Sequence, residues 1–483
     1  MLLKELIYEG ECIYSDLPSD TQVLNISTET SLVDEKTLFA LPNSKKVPTF
    51  STTPLGVLCD TEAALPQGVK AVRVRNVRQA IANAFYRFHR IDLKKVKMIA
   101  VTGTNGKTTT ASFIKAILED AGKKVGFIGT GKVSIGKDIL SNENYSMTTP
   151  DPMLLYQMIS VMQKSGCDAI VMEASSHSLA LDKLFPLEFD YGVFTNLSSE
   201  HMDFHKSKEE YFAAKSKLFN KCKTAVLNID DPYAKRIAER FHGRTVSCGV
   251  LWRGDAFATQ IEDIKPIGTK YAYHTKDLVF IMRLNIPGTY NVYNSLLAAT
   301  LCIDMGIKPT LVRESLSKID SIEGRFEIIK GRVTVIIDYA HTYSAFEAFL
   351  KEVKRLKQKD GLITAVFGCG GERDREKRPK MASAAENLAD RVIVTSDNSR
   401  GENLSDIISD ITSGFKGSNY KIIKSRNDAI IYAIRSAKDG DTVLLIGKGP
   451  EKYNIDSDGY HHFDEREIAT LALKMTQIND YEN

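Results

Sequence analysis

The alternation of short apolar runs with helical patterns predicts an α/β protein of three domains. Between residues 96 and 323 the runs VKMIAVTG, KKVGFIGT, DAIVMEAS, YGVFTNLS and TAVLNID read as strands, with amphipathic stretches between them. Such alternation calls for a parallel sheet covered by helices on its faces. The same grammar returns after Gly324 in VTVIIDYAH, LITAVFGCG, RVIVTSDN and DTVLLIGKG. At 483 residues the chain is also too long for one ordinary core.

Taken in order, residues 1–95 carry short strand-like runs at Gln22–Ile26, Leu55–Cys59 and Ala71–Val74, broken by Pro, Ser and Thr. Val77–Phe88 follows with apolar positions at helical spacing, and the charged stretch Ile91–Lys97 reads as a linker. The predicted domains are therefore a small α/β unit at 1–95, a parallel-sheet unit at 96–323 and a second α/β unit at 324–483. Ligands of open α/β sheets collect at the carboxyl ends of the strands, so chemistry is expected where each run breaks into small or polar residues.

Composition narrows the function classes. A hydrophobic fraction of 43% and a charged fraction of 26% are those of a soluble globular protein. A net charge of +3 is too small to point to nucleic acid or a membrane surface as partner. The 7 cysteines are an odd number without a CxxC pair, which argues against a disulfide framework or zinc knuckle and for a reducing cytoplasm. The opening MLLKELIYEGECIYSD does not read as a signal peptide, and no apolar run has the length of a bilayer span.

The strongest local signal is Val101-Thr-Gly-Thr-Asn-Gly-Lys-Thr-Thr-Thr110, between an apolar strand and a helix that stops before Gly122. Gly103, Thr104, Asn105 and Gly106 can curl so that backbone N–H groups surround a phosphate, and the helix N-terminus adds a favourable field. Lys107 can reach the outer phosphates, and the hydroxyl of Thr108 can hold Mg²⁺, with Thr109 following. The spacing Gly103-x-x-Gly106-Lys107-Thr108 is a shorter variant of the general phosphate loop. By itself such a loop suits a kinase, a GTPase or a motor.

Further residues narrow the choice. Glu173 ends the strand DAIVMEASSH, where a carboxylate can take Mg²⁺ beside phosphates. His201 follows the strand YGVFTN, and Lys215 sits in YFAAKSKLF on a predicted helix. Singly, a satisfied loop Glu, a loop His and a solvated Lys are equally good readings. As an ordered set, GTNGKTT, MEASSH, NLSSEHMDFH and YFAAKSKLF resemble the central domain of the Mur ligases. GTYNVYNSLLAA, EGRFE, DYAHT, GCGGERDREKRP, SDNSR and GKGPE continue the likeness to about residue 460.

The resemblance implies a central P-loop ATPase domain, a C-terminal Rossmann-like domain, and a monomer with hinged domains. It also implies a cytoplasmic ATP- and Mg²⁺-dependent ligase that activates a carboxylate as an acyl phosphate and joins it to an amine. Lys107, Thr108 and Glu173 would serve phosphates and a first Mg²⁺, His201 a second, and Lys215 would be the carbamoylated lysine of the family. Asn291 and Asn294 would lie on the adenine side, Arg325 near the phosphates, and Asp338 at the ribose with His341 close by. Thr148, Thr149, Ser175 and Lys183 would meet the carboxylate substrate.

Within the family the likeness is greatest to the branch that adds the third residue, diaminopimelate or lysine, to a UDP-N-acetylmuramoyl dipeptide. There Arg373, Asp397, Asn398, Arg400, Gly447 and Glu451 would form the amino-acid pocket. Arg400 favours diaminopimelate, because a guanidinium suits its extra carboxylate. The sequence departs from the family at Ser399, where proline is usual, and at Pro450, where histidine is usual. It also has Leu181 and Lys183 for Gln and Arg, and Ser27-Thr28-Glu29-Thr30 near the start for Asp-Ser-Arg. These departures leave another acidic precursor open as the acceptor.

Overall fold

The computed structural model describes residues 1–483 apart from 44–46, 142–144, 146, 199, 201, 203, 265–266, 358–359 and 480–483. Three principal sheets follow one another along the chain. The N-terminal sheet has 5 strands in the order Cys12–Ser15, Ala71–Val74, Gly56–Cys59, Thr37–Ala40, Asn25–Ser27. Its neighbours run parallel except at Cys12–Ser15. Val77–Phe88 forms the expected helix, capped by Asn76, whose side chain accepts the Gln79 N–H. The stretch expected as a charged linker is anchored instead: Ile91 and Val96 are buried, because their apolar side chains join the core below the central sheet.

The central sheet has 11 strands. Its middle is parallel: Cys222–Asn228, Phe189–Phe194, Lys97–Thr102, Ala169–Glu173 and Val125–Gly129 lie side by side. Both edges turn antiparallel, through Thr269–Thr275 and Val279–Leu284 on one side and Lys132–Ile135 and Asp138–Ile139 on the other. An all-parallel reading of this zone therefore holds only for its centre. The edge strand Val279–Leu284 alternates more exposed with buried residues although it carries the apolar run VFIM, so its sequence alone does not distinguish it from a parallel strand covered on both faces.

The helix Lys107–Asp120 packs on this sheet through Phe113, Ile114, Ile117 and Leu118, all buried. Replacing Phe113 by Ala is expected to cost about 3–5 kcal/mol of stability, read as a fall in the denaturant midpoint. A midpoint unchanged within error would show that the helix is not held by this face.

The C-terminal sheet has 6 strands in the order Glu327–Lys330, Thr334–Asp338, Thr442–Ile446, Ile363–Phe367, Arg391–Val394, Tyr420–Ile422. All neighbours are parallel except the first pair. Two clusters of buried side chains cover its faces. Tyr290, from the central zone, packs against one of them and so ties the two units together. No helix among the described residues is long and apolar enough to cross a membrane.

Candidate active site

The strand Lys97–Thr102 lies between Ala169–Glu173 and Phe189–Phe194, so its carboxyl end opens between two neighbours that both contribute groups. The loop that follows is pinned from the side. Thr104 N–H donates to Asn196 O at 2.8 Å, and Asn105 N–H to Asn196 Oδ1 at 3.0 Å. Thr195 Oγ1 and Asn196 Nδ2 both donate to Asn105 O. This packing leaves no room for side chains at the glycines. A Cβ at Gly103 would lie 1.8 Å from Thr195 Oγ1, and one at Gly106, where φ is 83°, would lie 2.3 Å from Asn294 Oδ1.

Lys107 opens the helix and folds back over the loop, its Nζ donating to Gly103 O at 3.1 Å and Thr104 O at 2.8 Å. Burial lowers its pKa, opposed by the carboxylates of Glu200 and Glu173. Lys215 lies beneath the same loop on the helix Lys208–Ser216, only 1% exposed. Its Nζ donates to Gly103 O at 2.7 Å and stands 4.5 Å from the centre of the Tyr211 ring. Burial, and then the charge of Lys107, hold its pKa well below that of an ordinary lysine.

Glu173 is fully buried at the end of its strand. Its Oε1 accepts the Thr130 N–H at 2.8 Å, its Oε2 accepts Thr130 Oγ1 at 3.3 Å, and Thr130 Oγ1 lies 3.0 Å from Thr148 Oγ1. Behind this, Thr149 Oγ1 donates to Glu173 O, and Ser175 N–H donates to Thr149 Oγ1. Lys183 is taken up by Asp151 at 2.6 Å. His201 lies outside the described residues.

The C-terminal unit closes over this region. Arg325 Nη2 donates to Thr108 Oγ1 at 3.0 Å, and its guanidinium stacks 4.4 Å above the Tyr339 ring. Asp338 accepts the N–H groups of Phe326 and Ala340, while burial raises its pKa against the pull of Arg325. His341 Nε2 stands 3.0 Å from Glu200 Oε1 across the two units. Asn291 and Asn294 are buried on the helix Thr289–Asp304, and Asn294 Oδ1 accepts from Thr110 Oγ1. A cavity of about 520 Å³ is bordered by Thr104–Thr109, Thr148, Glu173, Asn291, Asn294, Arg325, Asp338 and His341.

A second cavity, of about 970 Å³, is bordered by Arg373, Asp397, Asn398, Arg400, Gly447 and Glu451. Asn398 Nδ2 donates to Glu451 Oε2 at 2.9 Å, and Lys448 Nζ donates to Asn398 Oδ1 at 3.0 Å. Burial raises the pKa of Glu451; it would raise that of Asp397 too, but Lys448 and Arg426 prevail and hold it below the usual range. Arg400 Nη1 donates to Gly371 O and Asn398 O, which joins the two loops that carry the arginines. Glu200, Tyr339 and His341 border both cavities, so the two meet there.

Sequence reasoning passed over Glu200, Thr130, Tyr211 and Lys448. Each had a signal: Glu200 precedes His201 in NLSSEHMDFH, Thr130 ends the run KKVGFIGT, Tyr211 opens YFAAKSKLF, and Lys448 lies in GKGPE. What was missing was their partners, which come from distant parts of the chain.

Comparison with known proteins agrees with this geometry. The Mur ligase middle domain matches residues 101–302, and the Mur ligase glutamate ligase domain matches residues 324–449. The UDP-N-acetylmuramoyl-L-alanyl-D-glutamate--2,6-diaminopimelate ligase 1 of Clostridium acetobutylicum is 39% identical over 407 residues, 83% of each chain. The ligase of the same name, without the number, from Syntrophomonas wolfei is 35% identical and covers 98% of this chain and 99% of its own. A solved structure of a UDP-N-acetylmuramoyl-L-alanyl-D-glutamate--2,6-diaminopimelate ligase superposes with a TM-score of 0.68 at 27% identity, covering 99% of both chains. With the phosphate loop, the buried lysine beneath it and the two joined cavities in place, this chain belongs to the Mur ligase family.

Proposed function

We propose that this protein uses ATP to join diaminopimelate to UDP-N-acetylmuramoyl-alanyl-glutamate, acting as a monomer on small molecules. The observation that carries the reading is the meeting of the two cavities at Glu200, Tyr339 and His341. An acyl phosphate made in one can thus face an amine held in the other.

The substrate carboxylate attacks the γ-phosphate of ATP, giving an acyl phosphate and ADP. The amine then attacks the acyl carbon, and phosphate leaves. Lys107 offsets the charge on the transferring group, and Arg325 is poised to move from Thr108 to a phosphate oxygen. Asn291 and Asn294 would face adenine and Asp338 the ribose. Thr108 and Glu173 offer oxygen donors at the border of the nucleotide cavity, the hard ligands that suit Mg²⁺ with phosphates. When bound, Mg²⁺ would neutralise phosphate charge. Burial favours the neutral amine of Lys215, the form that CO₂ needs to make a carbamate. Positioning and charge stabilisation dominate such a reaction, so no nucleophilic side chain is required.

For the amine donor, Arg373 and Arg400 suit a carboxylate, and Glu451 suits an ammonium group. For the acceptor, the N-terminal unit abuts Thr148–Lys183: the hydroxyls of Ser27 and Thr28 reach Met153 Sδ at 3.8 and 3.7 Å, and Gln79 Nε2 donates to Asp182 Oδ2. The likeness to the Syntrophomonas wolfei ligase spans this unit as well. Incubation with ATP, Mg²⁺ and both substrates should release phosphate and yield a product of the tripeptide's mass only when both are present. Phosphate release that ignores the nucleotide-sugar but answers to another acid would remove the substrate assignment and leave the ligase chemistry standing.

A further inference from the structure

Beneath the second cavity, Arg378 is wholly buried and meets Glu402 end-on. Its Nη1 donates to Oε1 at 2.7 Å and its Nη2 to Oε2 at 2.8 Å, a two-pronged contact. The same guanidinium donates to Gly370 O at 3.1 Å and to Asp410 Oδ2 at 2.8 Å. Glu402 in turn accepts the Glu372 N–H at 3.0 Å, and Arg375 reaches its Oε1 at 2.9 Å. Gly370 and Glu372 belong to the loop that presents Arg373, while Glu402 closes the loop that presents Asp397, Asn398 and Arg400. The pair therefore grips both arms of the pocket.

Those arms need holding. Glu372 and Arg400, one in each loop, have φ of 54° and 52°, a left-handed backbone that side chains other than glycine leave unless the surroundings enforce it. Gly371 N–H donates to Asn398 O at 2.9 Å, so displacement of one loop would be passed to the other. A buried ion pair is a poor source of net stability, because desolvation offsets most of its attraction. A bidentate guanidinium–carboxylate contact does fix orientation, as an ammonium would not.

We propose that Arg378 and Glu402 are positioning residues of the amine-donor pocket, holding its two strained loops so that Arg373 and Arg400 face the cavity at a fixed separation. They set affinity for a dicarboxylic amino acid and its preference over a monocarboxylic one, and take no part in phosphoryl transfer. The assignment rests on the reading of this cavity as the amine donor's.

The test uses the full-length protein with Glu402→Gln, which keeps the shape, and Arg378→Lys, which keeps the charge but loses the fork. Both should raise KM for diaminopimelate about tenfold, leave KM for ATP within about twofold, and narrow the preference for diaminopimelate over lysine. Hydrogen–deuterium exchange should quicken at 370–374 and 398–402 and stay unchanged in the rest of the C-terminal sheet. Equal rises in both KM values, or a lower melting temperature with the amino-acid preference intact, would mark a merely structural pair and overturn the proposal. Should the wild type reject diaminopimelate, the substrate reading falls, and the exchange measurement alone decides: unchanged exchange in both loops overturns it.

Discussion

Changing Lys107 to Ala is expected to lower turnover by about 10³-fold, at the upper end of what one charge-stabilising donor supplies. The ammonium stands at the head of the helix Lys107–Asp120 and donates to the carbonyls of Gly103 and Thr104. Arrival of a triphosphate would favour its charged form against the burial that now lowers its pKa. The loss should fall on the step that makes the acyl phosphate, because in the proposed reaction negative charge builds next to Nζ there. Phosphate release measured under saturating substrates gives the answer, with calorimetry to follow nucleotide binding separately. Activity within tenfold of wild type would mean the γ-phosphate lies elsewhere, and the assignment of this cavity would have to be given up.

The second large effect is expected at Lys215. Its replacement by Ala should reduce turnover by about 10²–10³-fold, the scale of losing one preorganised charged group in a buried site. A lysine that is 1% exposed, with its amine on a backbone carbonyl and a second lysine nearby, is a poor place for a permanent cation. Conversion to a carbamate would supply a carboxylate-like group near metal and phosphate. Two measurements separate this from a packing role. Small carboxylates should restore part of the turnover of the Ala variant, and labelled bicarbonate should give a carbamate carbon signal in the wild type that the variant lacks. Full activity without Lys215 would show that this lysine is merely structural.

The readable part of this protein is the part whose physics is local. A strand end, two glycines, a lysine and a helix start within ten residues of one another, so Gly103–Thr108 could be read as a phosphate loop before any fold was known. The helix Val77–Phe88 and the strand Ala71–Val74 were equally plain, since the apolar residues that mark each lie within one element. The chemistry proposed further along, at Arg400, Asp338 or Lys215, was suggested only by an ordered set of motifs that resembles a family. Taken alone, each of these residues reads as well for an ordinary surface or core position.

Tertiary structure decided what depends on distant partners. The antiparallel edges of the central sheet could not be anticipated, because a run such as VFIM at Val279–Leu284 marks a strand but not the direction of its neighbour. Arg325 reaches Thr108 across 217 residues and Lys215 reaches Gly103 across 112, and only folding makes either pair neighbours. Burial then sets the charge behaviour of Lys215, which a sequence position cannot reveal, since desolvation is a property of everything packed around the amine. The residues themselves determined that a glycine-rich cradle suited to a phosphate lies between a strand end and a helix start. Packing of the C-terminal unit against that cradle determined that a second cavity opens onto it, because a cavity is the space left between surfaces that the chain brings together only once it is folded.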